Sequence, residues 1–384
     1  MDKQNLQPLK GFRDFLPSQA RKRQFALDKI RQSFELFGFE PLETPALERQ
    51  ELLLGKYGQE ADKLIYTFTD QGDRKVGLRY DQTVPVSRVI ASYRNNLGLP
   101  FKRYQIQPVW RAENPQKGRF REFLQCDIDL FGEDSILADA QIIATTLKTY
   151  QNLGFKNLTM LVNSRSILFN LIEKADIPKG LATSVIQSLD KLDKKSASKV
   201  KQELQNKGID QENVDQLFEL IDNAEPNQEI DELVSLVKLL GVSKNQIKFS
   251  PTLARGLDYY TSTIFELKSP QFEAGSLAGG GRYDKLIGQL SDFDVPAVGL
   301  AIGFDRTIEA MEELNLFPDD LSSAKILVTI FNQELMEKSL QLADKLRQAG
   351  INTLLYTNSK TDIGKQLKYA DKKNVSYVAI IGPE

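Results

Sequence analysis

Arg255, Tyr259 and Tyr260 stand together in the stretch LARGLDYYTSTIFE, residues 253–266. A guanidinium and two phenols just ahead of a Thr/Ile/Phe run put a fixed cation beside hydrogen-bonding rings at the mouth of a strand. A second charged stretch, VWRAENPQKGRFREFLQCDIDLF, covers residues 109–131. Its Asn, Pro and Gly at 114–118 read as a turn between two strands. Period 2 places Val109, Arg111 and Glu113 on one face of the first strand. On the second, Leu124, Cys126, Ile128 and Leu130 share an apolar face, and Arg119, Arg121, Phe123, Gln125, Asp127 and Asp129 share the other. Between residues 101 and 122 six Lys/Arg oppose two Glu, a local surplus of four positive charges in a chain of net charge −2. Such a patch suits a polyphosphate or a nucleic-acid backbone.

The composition removes other chemistries. The 384 residues include no histidine. A Ser-His-Asp triad, an imidazole base and a His-ligated metal are therefore all excluded. One cysteine, Cys126, rules out a disulfide framework or a cysteine-rich zinc site within one chain, and its apolar strand face makes it a packing residue. The work falls to carboxylates, guanidinium groups, phenols or metal-bound ATP. The first thirty residues are charged throughout and lack a signal peptide's apolar middle, and no run approaches the ~18 apolar residues of a membrane span. A cytoplasmic protein is expected.

Several elements must position these groups. Residues 18–37 have helical periodicity, with Phe25, Ile30, Phe34 and Phe37 near one stripe and Ser18 as N-cap. FEPLETPALE reads as extended edge chain with two prolines. Short strands follow at LIYTFTD, VGLRYD, RYQIQPVWRAE and RFREFLQCDIDLF, then a helix over 134–152. From 165 to 245 Lys, Asp, Gln and Leu recur at helical spacing, as in a helical insertion, in which KLDKKSASKVKQ is a solvated face. Strand patterning resumes at IKFSPTLARGLDYYTSTIFEL and runs through AGSLAGGGRYDKLIGQL and AVGLAIGFDRTIEAMEEL. Residues 325–384 alternate strand, helix, strand, helix, strand, which predicts a small parallel α/β domain.

At VWRAE, its basic loop and FREF, the chain resembles the second signature motif of class II aminoacyl-tRNA synthetases. VGLAIGFDR resembles the third motif, and FGFEPLETPALE the first, which usually builds a dimer interface. LARGLDYYT and AGGGRYDKL resemble two peptides peculiar to histidyl-tRNA synthetases, and LRYDQTVP and KGFRDFLP fit the same family. The resemblance spans residues 9–384. It implies an α+β fold in which an antiparallel sheet flanked by helices forms a catalytic domain from 1–164 and 246–318. The helical insertion is 165–245, and 325–384 is an anticodon-binding-like domain. That last domain is expected to be incomplete, because the family usually continues past VAIIGPE with another strand and helix.

The resemblance also implies roles. Arg111 and Arg306 grip the ATP phosphates, Glu113 orients the adenine end and Phe123 stacks on the ring. Arg255 approaches the α-phosphate. Asp81, Thr83, Gln125 and Asp129 hold the ammonium and imidazole of histidine, and Tyr259, Tyr260 and Tyr283 line the imidazole pocket. Gln116, Lys117, Arg119 and Arg121 face tRNA, with Gln116 and Arg121 matching positions that read the extra 5′ guanosine of histidine tRNA. ATP with Mg2+ is expected, without a protein metal site, and a homodimer. The reaction is histidine activation to the adenylate, then transfer to tRNA. It needs no protein base, because the attacking carboxylate is already ionised. Cations must bring two anions together and stabilise the transition state. Each charge-assisted hydrogen bond contributes roughly 1.5–3 kcal/mol, so three arginines supply several orders of magnitude at about 1.4 kcal/mol per decade.

Other readings stay open on sequence alone. GSLAGGGRYD also suits a plain turn, and Asp81 and Thr83 also suit turn capping. Gln82, Asn114 and Ser262 depart from the family's usual residues. A silent paralogue that regulates ATP phosphoribosyltransferase shares the fold, though it generally lacks RGLDYY and the anticodon domain. A prolyl or threonyl class II enzyme would lack both peptides.

Overall fold

The computed structural model describes residues 6–55, 62–115, 118–193, 195–255, 259–273, 275–319, 321 and 324–383. The chain divides into two compact units, residues 1–14 with 27–316, and residues 15–26 with 317–384.

The larger unit is built on a sheet of eight strands: β1 Glu40–Pro41, β5 Phe101–Trp110, β6 Glu122–Phe131, β7 Thr159–Ser164, β8 Ile247–Phe249, β9 Thr263–Lys268, β10 Ala278–Arg282 and β11 Ala297–Gly303. Their order is β1-β5-β6-β11-β10-β9-β7-β8. Pairing is antiparallel from β5 to β7 and parallel only at the two margins, β1 with β5 and β7 with β8. Period 2 gives this sheet two different faces. Cys126, Ile128 and Leu130 of β6 are buried with Val298, Leu300 and Ile302 of β11. The helices Ile136–Asn152 and Phe304–Glu313 pack against these two strands. Residues of the opposite parity form the floor of an open cavity. A second sheet, in the order β2-β4-β3, joins β2 Leu47–Arg49, β3 Thr67–Thr69 and β4 Lys75–Leu78.

The segment after β7 is helical, with helices Arg165–Lys174, Ala182–Leu189, Ala197–Asn206, Gln211–Asp222 and Gln228–Leu239. Each buries a narrow apolar stripe, for example Val214, Leu217 and Ile221 in Gln211–Asp222, the spacing expected of an amphipathic surface helix.

In the smaller unit β12 Ile326–Val328 lies between β13 Thr353–Leu355 and β14 Tyr377–Ala379, both parallel to it. The helices Met336–Gln348 and Ile363–Lys372 make the crossovers. The helix expected at 18–37 runs Pro17–Leu36. Ser18 therefore lies inside the first turn rather than capping it, and Pro17, with its preset φ and missing N–H, takes the first helical position. Among the described residues no helix is long and apolar enough to cross a membrane.

Candidate active site

One cavity of about 490 Å³ opens on the polar face of the large sheet. Register explains its shape. Asp127 of β6 lies between Gln105 of β5 and Ala301 of β11, and that rung continues through Gly279 to Glu266. Asp129 lies between Arg103 and Gly299, and that rung continues to Gly281. The two central strands thus present Gly279, Gly281, Gly299 and Ala301 as a low floor between charged walls.

The glycines make room for the protein's own side chains. A methyl at Gly279 would overlap the guanidinium of Arg255, one at Gly281 would crowd the ring of Tyr260, and one at Gly299 would overlap the Asp129 carboxylate. Arg255 itself sits at φ 40°, a left-handed conformation uncommon for a side chain without special cause. Its Nη1 is 3.4 Å from Glu266 Oε2. Burial pulls the Arg255 pKa down, and the surrounding Tyr260, Glu266, Asp190 and Tyr259 more than offset it, so it ends above its ordinary value.

The other two arginines converge on the same hollow. Arg111 lies 4.3 Å from the Tyr80 ring centre and 5.1 Å from that of Phe123, and its Nε donates to the Tyr80 carbonyl at 3.2 Å. Arg306 donates to the Ser276 carbonyl at 2.7 Å. Burial, reinforced by Arg119, draws its pKa downward. Glu113 also lines the cavity and pairs with Arg119 at 3.5 Å.

A cluster of phenols closes one end. Ring centres of Tyr259 and Tyr260 are 4.8 Å apart, and those of Tyr259 and Tyr283 are 5.9 Å apart. Burial pushes all three phenols up, so each keeps its proton as a hydrogen-bond donor at neutral pH. Tyr283 donates to Asp129, whose Oδ2 is 2.5 Å from Arg103 Nη2. Burial raises the Asp129 pKa while Arg103 and Tyr283 resist the shift. Asp81 accepts from the Val84 N–H at 3.2 Å at the start of the helix Thr83–Tyr93, so the residue that lines the cavity also caps a helix. Thr83 hydrogen-bonds Tyr259. Gln82 is fully buried and donates to the carbonyls of Gln107 and Gln125, tying this helix to β5 and β6. Ser262 donates to Glu229 of the helical segment.

Arg111, Arg255 and Arg306, then Glu113 and Phe123, then Asp81, Thr83, Gln125, Asp129, Tyr259, Tyr260 and Tyr283 all line this cavity, and Arg119 does too. Arg121 turns elsewhere: its Nε donates to the Glu113 carbonyl at 3.0 Å, and its backbone N–H to the Gly11 carbonyl at 2.9 Å. Gln116 and Lys117 lie outside the described residues. Residues that the sequence did not single out also line the hollow, namely Tyr80, Asp127, Asp190, Asp193 and Glu266. Asp127 carried a signal, since it shares the period-2 face of Gln125 and Asp129. Glu266, Asp190 and Asp193 arrive through sheet register and helix packing, which no local pattern encodes. Among the described residues no group of three or more His, Cys, Asp or Glu side chains is arranged to hold a metal ion.

The family model for histidyl-tRNA synthetase matches residues 11–307, and that for an anticodon binding domain matches 325–384. A histidine–tRNA ligase of Cytophaga hutchinsonii is 39% identical over 418 residues, covering 98% of this chain and 92% of that protein. One of Gloeobacter violaceus is 39% identical, with 97% and 91% covered. The crystal structure of histidyl-tRNA synthetase from Nostoc sp. PCC 7120 matches with a TM-score of 0.85 at 31% identity, over 99% of this chain and 92% of that one. An ATP phosphoribosyltransferase regulatory subunit/histidyl-tRNA synthetase from Bacillus halodurans shares the fold, with a TM-score of 0.82 at 21% identity and 98% of each chain covered.

Proposed function

The chain belongs to the histidyl-tRNA synthetase family, and we infer from its cavity how it acts as a histidine–tRNA ligase. The observation that carries the reading is the convergence of Arg111, Arg255 and Arg306 on a hollow that ends in three phenols and a buried carboxylate. The two halves of that hollow suit the two substrates of amino-acid activation.

At the cationic half, Phe123 stacks on adenine with Glu113 beside it, and Arg111 and Arg306 take the triphosphate. Arg255 lies at the floor between the halves, where the amino-acid carboxylate meets the α-phosphate. A carboxylate oxygen attacks the α-phosphorus, the bond to the bridging oxygen breaks, and pyrophosphate leaves. No proton moves, which fits a site without an imidazole. The arginines neutralise charge that would otherwise keep two anions apart. Magnesium enters with ATP as part of the substrate.

At the phenolic half, Asp129 is positioned to accept a hydrogen bond from an imidazole N–H. The phenols supply further donors and acceptors to the ring. A pocket that hydrogen-bonds its ligand in this way rejects analogues by roughly 10⁴–10⁵, because its buried polar groups would be left unpaired. A ribose hydroxyl of the terminal adenosine of histidine tRNA then attacks the carbonyl carbon of the adenylate, the bond from that carbon to the phosphate oxygen breaks, and AMP leaves with the hydroxyl proton taken up by its phosphate. Arg119 at the cavity rim contacts that tRNA, and residues 325–384 contact the anticodon. We read the protein as a cytoplasmic homodimer. The reading as a silent regulatory subunit is disfavoured by Arg255, Tyr259 and Tyr260 at the cavity and by the anticodon-domain match.

The test is ATP–pyrophosphate exchange with each of the twenty amino acids. Histidine alone is expected to support exchange. Exchange driven by another amino acid, or by none, would overturn the reading.

A further inference from the structure

Asp127 is a buried carboxyl for which the mechanism above has no use. It is 3% exposed and lines the cavity floor. Its Oδ1 has no hydrogen-bond partner among the described residues, and neither has the Oε1 of Gln125, the next residue on the same face of β6. The cross-strand neighbours cannot supply donors. Gln105 commits its amide nitrogen to Thr44 Oγ1 at 2.8 Å and Gln107 Oε1 at 2.6 Å. On the other side stands Ala301. Two adjacent buried acceptors, both unpaired, call for a ligand group rich in N–H donors, because an unsatisfied buried acceptor is costly.

Register says which group of the ligand arrives there. Phe123 and Asp129 lie at opposite ends of the face, with Gln125 and Asp127 between them. Arg255 rests on Gly279, on the same rung as Asp127. On the functional reading above, the carboxylate of the amino acid meets Arg255 and its ring meets Asp129. The α-carbon then lies over the Asp127 rung. We propose that Asp127 is a further substrate-binding residue, a second counter-anion beside Asp81 that receives the α-ammonium of the amino acid together with the Gln125 carbonyl oxygen.

The charge around Asp127 adds a consequence. The ionisable groups that bear on it include Arg103 from β5, Asp129 from its own strand, Asp81 ahead of the helix Thr83–Tyr93, and Arg111, and Asp127 in turn opposes the lowering of the Arg79 pKa by burial. Arg103 is already paired with Asp129. Burial holds the Asp127 carboxyl well above the usual carboxylate range; Arg103 opposes this, and Asp129 and Asp81 reinforce it. The carboxyl is therefore pushed toward its protonated form. An arriving ammonium works in the opposite sense and favours the anion.

The experiment pairs wild type with Asp127→Asn. Histidine binding is followed by calorimetry in two buffers of different ionisation heat, and KM is measured by pyrophosphate exchange. Wild type should release more protons to the buffer on binding histidine than on binding 3-(imidazol-4-yl)propionate, which lacks the ammonium. The variant should lose the extra release and raise the histidine KM at least tenfold, with the ATP KM within twofold. Its affinity for the propionate should stay within twofold. Equal weakening toward histidine and the propionate would overturn the proposal, as would an unchanged histidine KM. If the variant does not fold, Asp127→Ser is read in its place by the ratio of histidine to propionate affinity, and a ratio unchanged from wild type overturns the proposal. Failure of wild type to use histidine at all would instead sink the functional reading.

Discussion

Arg255 and Gly279 form one packing unit, since the guanidinium occupies the space a side chain at 279 would fill. Replacing Arg255 by Ala should lower the pyrophosphate-exchange rate by about 10²–10³, the usual cost of losing one preorganised charge-stabilising group. Gly279→Ala should act in the same direction without touching the arginine, because the added methyl pushes the guanidinium off the floor. Exchange kinetics with a thermal melt of each variant checks both, and a folded Gly279→Ala enzyme with wild-type rate would refute the coupling. Tyr283 offers a finer case. Its hydroxyl donates to Asp129 and resists the upward pull of burial on that carboxyl. In Tyr283→Phe the Asp129 pKa moves further up, so less of the carboxylate is ionised as pH falls. The histidine KM should rise at least tenfold, from the roughly 1.5–3 kcal/mol of a lost charge-assisted bond, and the increase should grow toward acid pH. Measurement of both substrate constants between pH 6 and 8 tests the sign.

Elements differ in how openly the sequence declares them. The β12–β14 unit was legible because apolar runs alternate with helical spacing, and the polar face of β6 because residues 123, 125, 127 and 129 repeat at period 2. The stretch AGGGR also suited a turn, since glycine is depleted in strands. It forms the buried strand β10 instead, because Arg255 and Tyr260 need the space above it. The helix Thr83–Tyr93 gave little signal: Pro85 and its β-branched neighbours weaken helical propensity, and burial of Val84, Val86 and Ile90 overrides them. What brings Glu266 opposite Gly279 is pairing between segments far apart in the chain, which local patterns do not carry. The helical segment has its own electrostatic tie. Glu203 is held by Lys191 at 2.5 Å, Lys195 at 3.0 Å and Ser188 at 3.0 Å. The hydrogen bond from Lys191, with help from Lys195 and Ser188, lowers its pKa to about 2. A depressed carboxylate stabilises the fold above its unfolded value near 4.5, and that contribution disappears as pH falls toward 2. Glu203→Gln should therefore cost about 1 kcal/mol at pH 7, after solvent screening, and almost nothing near pH 2. Denaturant titrations of both proteins at the two pH values check it.

Across the whole molecule, the absence of histidine means that no protein imidazole titrates near neutrality. The pH dependence of activation between 6 and 8 then draws on the substrates' own imidazole and phosphates, and burial moves the Asp127 carboxyl upward in the direction of that range. The division into two units supports a second argument at this scale. On the proposed reading, activation draws on cavity side chains between residues 80 and 306, all in the larger unit. The smaller unit is held together partly by Gln366, which is fully buried, donates to the carbonyls of Ile330 and Thr361 at 2.8 Å each, and accepts from the Ile330 N–H at 3.0 Å. Gln366→Ala leaves the N–H and carbonyl of Ile330 buried without this partner, at a cost of roughly 1–3 kcal/mol for each. The smaller unit should melt earlier in calorimetry. Transfer of histidine to tRNA should fall at least fivefold at temperatures where that unit is loosened, while pyrophosphate exchange stays within twofold of wild type. If exchange fell in parallel with charging, activation would depend on the smaller unit as well, and the assignment of separate tasks to the two units would be wrong.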